Sequence, residues 1–323
     1  MHRHHDGMNR LEPLMTNHIL HEVLTRARTA ASHRVHERGP GMEPIYTPKR
    51  AAVLRAMALK STMLPNVRGS SAGETTSLAA AIIEQSRVAQ AGAHILVQED
   101  KVRAVPTGQT GIVATQREAA KFSTIAPATF ATIADDEEVA VTTSLPVSRA
   151  DIDWSAATTV SVRYEIGHVA QKASDEAQQV DELLVALTLG LARQADRLLL
   201  DAIVATTPAA FTLGAAAAQG LKARELRAIV GTDGTGAYFG ADGALVVNVF
   251  DTNGPKPSGI PGELSGDTAA TIVGGWDRAG VAVSSDMHIL AERTAKNGTL
   301  ALTAWASMLT LLPDTSKFWT VTA

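Results

Sequence analysis

The sequence predicts an α+β fold organised around one long helix. Seven apolar residues of residues 176–206 recur at helical spacing: Val180, Leu183, Leu184, Leu187, Leu191, Ala195 and Leu198. Ser174 and Asp175 offer N-cap side chains before this stretch, and Pro208 closes it, because the residue before a proline disfavours helical geometry. About 31 residues at about 1.5 Å each would make a rod of about 46 Å, well beyond the usual helix of about 11–12 residues.

Alternation of apolar and polar residues predicts strands on both sides of this helix. The clearest case is residues 160–166, where Val160, Val162, Tyr164 and Ile166 alternate with polar residues. Residues 139–145 alternate in the same way, and residues 300–312 predict a buried strand pair. Further short strands are predicted at residues 93–97, 101–105, 112–115, 130–133, 245–250, 271–273, 281–283, 289–291 and 318–321.

Shorter helices and links complete the secondary-structure prediction. Apolar periodicity favours helices at residues 48–60, 76–91 and 221–230, the second ending at Gly92 as a C′ residue. Residues 148–154 and the Ala/Gly-rich residues 214–220 are predicted as links. Residues 107–153 predict a long hairpin with little core of its own, and such segments are usually functional or make contacts outside their own domain.

Composition excludes several classes of protein. The chain has 323 residues, of which 45% are hydrophobic, 19% charged and 4% aromatic, as in a soluble globular protein. It has no cysteine, so disulfides, thiolate metal sites and a cysteine nucleophile are excluded. The apolar run at residues 183–192 stops at Arg193, short of the roughly 18 residues that a membrane span needs. The N-terminal MHRHHDGMNR lacks the apolar core of a secretory signal.

Charge is distributed unevenly along the chain. Residues 1–70 carry 11 Lys and Arg against 5 Asp and Glu, a net charge of +6, whereas the whole chain carries −4 and the remainder therefore −10. A basic arm on an acidic body suggests that the arm reaches onto something acidic. The arm could bind nucleic acid or the acidic body of a neighbouring copy. A net charge of +6 over 70 residues is small for nucleic-acid binding, which favours the neighbouring copy.

Residues 160–204, VSVRYEIGHVAQKASDEAQQVDELLVALTLGLARQADRLLLDAIV, resemble the strand and spine helix of tailed-phage major capsid proteins, the Hong Kong 97 fold. The flanking segments SRVAQAG and KVRAVPT are similar to that family's path into its extended loop. The segments GGWDRAGVAVSS and TLALTAWASMLTLLPDTSKFWTV are similar to its C-terminal third. The resemblance covers residues 71–323, in the order of the elements more than in identities.

The resemblance implies a division of the chain into six parts. They are an N-terminal arm (1–70), the first part of a peripheral domain (71–106), an extended loop hairpin (107–155), the peripheral domain with its spine helix (156–208), an axial domain (209–299) and C-terminal strands returning to the peripheral domain (300–323). The implied function is a non-enzymatic major capsid protein that self-assembles into pentamers and hexamers, forming the icosahedral shell around a double-stranded DNA phage genome.

The resemblance also implies partners and a location. Scaffolding, portal and decoration proteins are candidate partners besides further copies of the chain, packaged DNA would be contacted weakly and non-specifically, and no membrane is involved. The protein would reside in the virion capsid after assembly in the host bacterial cytoplasm. Cross-linking through Lys121, the only lysine between Lys101 and Lys172, is disfavoured because neither Asn253 nor Asn297 lies in a matching motif.

Candidate chemical sites are weak. No Ser/His/Asp set, His/Glu metal spacing or phosphate-binding loop is present, so we predict no catalytic, cofactor-binding or metal-binding residue and no cofactor. Gly234, Gly236 and Gly240 predict a turn rather than a dinucleotide loop. His168 follows a strand close to Glu165, and a packed histidine at that elbow is favoured over an acid–base role.

Two alternatives to a phage capsid remain open. An encapsulin-like cellular compartment would share the implied fold, although its short N-terminal helix differs from the basic arm here. A soluble metabolic enzyme with a long core helix is the second alternative. Such an enzyme would need a polar active-site pocket, and no sequence motif indicates where it would lie.

Overall fold

The computed structural model describes residues 21, 24, 50–55, 58–59, 76–98, 102–106, 113–117, 120–128, 130, 132, 145–173, 175–240, 244–247, 259–293 and 299–321. Over these residues the protein is an α+β molecule with one long helix and several sheets, as the sequence predicts. The described ranges leave out residues 139–144 of the predicted strand at residues 139–145, and most of residues 1–75.

Five α-helices are described. They are α1 (Leu78–Gln85), α2 (Arg87–Ala91), α3 (His168–Ala173), α4 (Glu176–Ala205) and α5 (Leu213–Ala218). Helix α4 has 30 residues and a length of about 45 Å. The side chain of Asp175 accepts a hydrogen bond from Gln178 N at its start, and Thr206 caps its end. Both predicted ends are therefore confirmed.

Eighteen strands are described, in chain order. They are β1 (Arg50–Arg55), β2 (Ala58–Leu59), β3 (Thr76–Ser77), β4 (His94–Gln98), β5 (Val102–Pro106), β6 (Val113–Arg117), β7 (Ala120–Ile125), β8 (Val147–Ile152), β9 (Thr158–Ile166), β10 (Arg227–Val230), β11 (Ala237–Phe239), β12 (Leu245–Val247), β13 (Ile260–Leu264), β14 (Ile272–Gly274), β15 (Gly280–Ser284), β16 (Asp286–Arg293), β17 (Leu300–Leu311) and β18 (Phe318–Thr320).

The main sheet is centred on β17. Its order is β1-β16-β17-β15-β4, and β9 pairs with β17 as well, from Leu300↔Ile166 to Met308↔Thr158. The pairing of β4 with β15 is parallel, and the other pairings in this sheet are antiparallel. The strand β17 therefore joins segments that lie far apart in the sequence.

A second sheet has the order β11-β12-β13-β10-β14-β18. Its own core contains Leu226, Val247 and Trp319. Along the chain, β15 and β16 leave this sheet for the main sheet, and β18 returns to it after β17. The chain therefore passes between the two sheets more than once. The six-part division of the chain remains a prediction.

Helix α4 lies across one face of the main sheet. Six of the seven predicted stripe residues are buried, and Leu198 is partly buried. Towards the C-terminal end the buried positions become Leu199, Leu200 and Ile203, each fully buried. They pack in one cluster with alternate residues of the sheet, including Val281 and Val283. Leu24, from the predicted arm, is also buried in this cluster.

Three segments predicted as helix or link are strands instead. Residues 48–60 were predicted as a helix, but residues 50–55 form β1 on β16. Residues 221–230 contain only a 3-10 turn, Ala223–Glu225, before β10 pairs with β13 and β14. Residues 148–154 were predicted as a link, but residues 147–152 form β8 on β7. In each case pairing with a distant strand outweighs a weak local helix or turn preference.

The remaining differences concern continuity. The predicted helix at residues 76–91 is broken at Ser86 into α1 and α2, and Gly92 ends α2 with φ 118° as predicted. Residues 300–311 form one 12-residue strand rather than a strand pair, because three neighbours pair along its length. The predicted link at residues 214–220 overlaps α5, and Phe130 and Thr132 of the predicted strand at residues 130–133 are not in a strand.

We expect the packing of α4 to dominate stability. Leu184 is 1% exposed, and its replacement by alanine would leave a cavity, so Leu184→Ala should lower the free energy of unfolding by about 2–5 kcal/mol. Leu189→Ala, on the same helix at 39% exposed, is the matched control and should cost much less. Chemical denaturation monitored by circular dichroism measures both, and equal losses would contradict the assignment of the buried face.

Candidate assembly surface

The hairpin formed by β7 and β8 is anchored at one end. The pairing runs from Ala120↔Ile152 to Ile125↔Val147. Ile152 is 2% exposed and packs with Ala282 and Leu311. Successive residues of a strand point to opposite faces, so Ala282 lies on the face of the main sheet opposite the α4 core, to which Val281 and Val283 belong.

Aromatic contacts strengthen this root. The Phe122 ring lies 5.5 Å from the His94 ring, and His94 Nε2 lies 3.1 Å from the backbone oxygen of Asp277. Trp154 also packs at the root. The hairpin is thus fixed to the body at the end where β8 leads towards β9.

The distal end of the same hairpin exposes apolar side chains. Ile125 is 66% exposed, Leu145 74% and Phe130 95%. The strands remain closed at this end, where Ala126 N donates to Pro146 O at 2.9 Å. Six residues of strand place it about 20 Å from the root. The hairpin therefore presents apolar surface that its own chain, in the described part, leaves uncovered.

An apolar groove lies between α4 and the main sheet. Its volume is about 180 Å³. Helix α4, β9, β17 and β16 contribute its walls: Ala186, Leu187, Gly190, Leu191, Gln194, Val160, Ser161, Val162, Tyr164, Ala304, Trp305, Ala306 and Met287. Gly190 is exposed, and a Cβ atom built on it would meet nothing within 4 Å. The missing side chain of Gly190 therefore helps to keep the groove open.

A buried carboxylate ties α2 to the long helix. Asp196 is 2% exposed and accepts three hydrogen bonds, from Ser86 Oγ at 2.5 Å, Arg87 N at 2.8 Å and Val88 N at 3.2 Å. Ser86 in turn caps α2 by accepting from Ala89 N at 3.1 Å. We call Asp196, Ser86 and the first two amides of α2 the carboxylate clamp. It explains why the helix predicted at residues 76–91 breaks at Ser86.

Burial raises the pKa of the Asp196 carboxyl above its ordinary value. The hydrogen bonds from Ser86, Arg87 and Val88 favour the ionised form and oppose this shift without cancelling it. The nearby carboxylate of Asp267 adds to the rise. The clamp therefore holds its proton more tightly in the folded protein than in the unfolded chain.

Two further polar contacts join the second sheet to the rest of the molecule. Arg193 on α4 contacts Asp267, which follows β13, with Nε and Oδ1 2.8 Å apart. This ion pair holds the pKa of Arg193 above its usual value, chiefly through its hydrogen bond to Asp267. Lys317, 7% exposed, donates to Gln219 O at 3.0 Å and Gln219 Oε1 at 2.8 Å. These contacts fix the second sheet to α4 and to the segment after α5.

The structure places the predicted polar residues as follows. His168 is exposed at the start of α3, so the prediction of a packed histidine is wrong. Gly234 and Gly236 have φ of 64° and 73°, as in the predicted turn. Lys121 is exposed and pairs with Asp151 at 3.7 Å, and Arg197 pairs with Asp201 on α4 at 3.6 Å.

Sequence reasoning missed the clamp, although a signal was present. Asp196 lies directly beside the stripe residue Ala195, so helical geometry places it at the margin of the buried face. A buried carboxylate at this margin needs hydrogen-bond donors. Ser86, which is one of them, lies within residues 76–91, and these are predicted as one continuous helix, so its role as a donor is not apparent from the sequence. The sequence predicts no catalytic, cofactor-binding or metal-binding residue. Within the described ranges no group of three or more His, Asp or Glu residues could hold a metal ion.

Comparison with known proteins gives structural matches alone. No family model matches the chain, and no curated protein matches it. A GTA capsid, "Capsid of native GTA particle computed with C5 symmetry", aligns over 80% of this chain and 94% of its own, with 10% identity and a TM-score of 0.45. A chain of "Mycobacterium phage Che8" aligns over 63% and 84%, with 11% identity and a TM-score of 0.41.

A third match is the "Satellite phage P4 procapsid including size determination (Sid) protein". It aligns over 74% of this chain and 95% of its own, with 12% identity and a TM-score of 0.36. Because these TM-scores are below 0.5, we base the functional proposal on this chain's own features. No helix in the described part of the chain is long and apolar enough to cross a membrane.

We predict that Asp196→Asn destabilises the protein. A neutral amide has one acceptor oxygen for three donors, which leaves at least one buried N–H or O–H unsatisfied and should cost about 1–3 kcal/mol. Asp201→Asn is the matched control, because Asp201 lies exposed on the same helix and its ion pair should contribute less than about 1 kcal/mol. Urea unfolding at neutral pH measures both; losses of equal size would contradict a specific clamp.

The clamp also predicts a dependence of stability on pH. The folded pKa of Asp196 lies above the unfolded value, so the folded state binds more protons between the two values. The contribution of Asp196 to stability should therefore rise as pH falls through its folded pKa, levelling off near the ordinary value of 3.8. Measuring wild type and Asp196→Asn across this range isolates the effect. A stability difference that stays constant or shrinks on acidification would argue against the raised pKa.

Proposed function

We propose that this chain is the major capsid protein of a tailed phage, assembling into pentamers and hexamers of an icosahedral shell around double-stranded DNA. The observation that carries the proposal is the hairpin of β7 and β8, which packs on the main sheet through Ile152 yet exposes Ile125, Phe130 and Leu145 at its distal end. Such a patch on a projecting element needs a partner surface.

The partner that best fits this surface is another copy of the chain. A subunit that tiles a closed shell must repeat the same contacts around its axes, and a projecting hairpin that docks on the next subunit supplies a head-to-tail contact of that kind. The likeness of residues 160–204 to the strand and spine helix of Hong Kong 97-type capsid proteins agrees with this assignment. Helix α4 and β9 occupy those residues.

Charge supports the same arrangement. Residues 1–70 carry +6 and the remainder −10, so a basic arm from one copy complements the acidic body of the next. An acidic body would also bind packaged DNA only weakly. From the resemblance of residues 160–204 to capsid proteins we also expect scaffolding, portal and decoration proteins as partners, assembly in the host cytoplasm and a final location in the virion.

The decisive experiment is to express the chain and determine the mass of the product. Light scattering with negative-stain microscopy should reveal shells, or rings with five- and six-fold symmetry. A stable monomer or dimer, unchanged when the genes encoded beside it are co-expressed, would overturn the proposal and favour the enzyme. Shells that contain a cellular cargo protein instead of DNA would favour the encapsulin-like compartment.

We predict that the distal hairpin residues act in assembly and not in folding. Phe130→Ser with Leu145→Ser should raise the protein concentration needed for assembly at least tenfold while leaving the melting temperature unchanged, because both side chains are exposed in the subunit. Val169→Ser, at 82% exposed on α3, controls for the general loss of surface hydrophobicity. An equal effect of the control, or normal assembly of the double variant, would contradict the role of the hairpin.

A further inference from the structure

Small residues create the groove between α4 and the main sheet. Ala186 and Gly190 line it from the helix, and Ala304 and Ala306 line it from β17. Protein cores are otherwise close-packed and contain few voids larger than a water molecule. A space of about 180 Å³ at this place therefore follows from the choice of small side chains at these four positions.

Larger residues on either side of the groove hold the helix away from the sheet. Leu302 and Met308 lie on the same face of β17 as the two alanines, are 2% and 0% exposed, and belong to the core under α4. The core is thus packed before and after the groove along β17. The groove is a local gap between packed layers and not a general looseness of the core.

Gly190 is placed where glycine is unfavourable for the helix. It lies near the middle of the 30-residue α4, and glycine inside a helix is less stable than alanine. No contact requires glycine at this position, because a Cβ atom built on it would meet nothing within 4 Å. The effect that its missing side chain does have is to leave the groove open.

The lining of the groove selects a neutral occupant. None of the residues that line it is charged, and most of them are apolar. An ionic group would lose its hydration in the groove without gaining an ion pair, which is unfavourable. The chemistry of the walls therefore excludes phosphorylated and carboxylate ligands.

Two polar side chains at the groove are available for hydrogen bonding. Gln194 is half-buried and Tyr164 is 36% exposed, and neither side chain makes a hydrogen bond to the described part of the chain. Apolar ligand sites commonly contain a few such groups, which orient the ligand. The ring of Tyr164 also offers an aromatic contact.

The size of the groove limits the ligand to one or two rings. A protein cavity of about 150 Å³ with apolar walls takes up benzene. The groove is slightly larger, at about 180 Å³, and is open to solvent on one side. A rigid planar molecule would also lose little conformational entropy on entering it.

We propose that the groove beside Gly190 is a binding site for a small neutral aromatic molecule, of one or two fused rings, that carries a single hydrogen-bonding group. The rings pack between α4 and β9, and the polar group pairs with the side-chain amide of Gln194. The site belongs to the folded subunit, so this inference does not depend on the proposed function.

Indole is the probe, because it is neutral, has two fused rings and carries one N–H donor. Titration calorimetry on the purified full-length chain should show saturable binding of one indole per subunit. The melting temperature should rise with indole concentration, because a ligand that binds only the folded state stabilises it by mass action.

A pair of substitutions at Gly190 places the binding in the groove. A helical side chain leans towards the preceding turn, so in Gly190→Phe the ring would lie over Ala186 and Leu187 and fill the space. Gly190→Phe should weaken indole binding at least about tenfold, and Gly190→Ala, the matched control, should bind within about threefold of wild type. Both replacements favour the helix, so neither should lower the melting temperature of the free protein.

Substitution of Gln194 tests the hydrogen bond. Gln194→Leu keeps the approximate size of the side chain and removes its amide, so indole should bind about threefold or more weakly. Naphthalene has two rings and no polar group, and its affinity should not fall in the same variant. Indole-3-acetate, which carries a carboxylate, should bind wild type at least about tenfold more weakly than indole does.

Each outcome decides for or against the site. Absence of saturable indole binding to wild type would overturn the inference, and so would binding that survives Gly190→Phe, because it would lie elsewhere. Equal affinities for indole and indole-3-acetate would contradict a neutral site. None of these results bears on whether the chain forms shells, which light scattering and microscopy of the wild type decide separately.

Discussion

Burial of the apolar face of α4 against the main sheet is the constraint from which the rest of the structure follows. The helix covers one face of the sheet over about 45 Å and buries Leu184, Leu199 and Leu200 almost completely. At roughly 1.5–3 kcal/mol for each fully buried aliphatic side chain, this face supplies a large part of the driving force for folding. The opposite face of the sheet then needs its own cover, which the hairpin root provides through Ile152.

The same burial creates the most demanding polar group of the molecule. Asp196 lies in a helix whose inner face excludes water, so its carboxylate must be satisfied by protein donors. Ser86 and the first two amides of α2 donate hydrogen bonds to this carboxylate. As a consequence, the helix is interrupted at Ser86, between α1 and α2. Once α2 is held in this way, it also lies against the second sheet, where Arg193 and Asp267 make a further link. The second sheet is thus fixed by polar contacts as well as by Ile229 and Ile272, which pack in the same core as α4.

Assembly, in the proposed function, uses what this arrangement leaves uncovered. The root of the hairpin is buried and its distal end is apolar and exposed, so the free energy of covering that end remains available for binding. Each contact would be modest, and its repetition around a closed shell would give collective stability.

Sequence by itself determined the parts of this protein that local physics controls. The period of α4, its Asp175 cap, the alternation in β9 and the turn at Gly234 and Gly236 all follow from side-chain spacing and backbone preference. The α+β class follows from them. These features are short-range, so a single sequence contains the information that specifies them.

Tertiary structure alone decided the features that depend on distant partners. Residues 50–55 and 227–230 have helical periodicity but become strands, because β16 and β14 offer unpaired edges to them. Asp196 and Ser86 are 110 residues apart, and nothing in their local sequence indicates that they meet. The same holds for the hairpin root, where Ile152 meets Ala282. Long-range pairing is decided by the free energy of the whole fold, which local preferences of this size cannot outweigh.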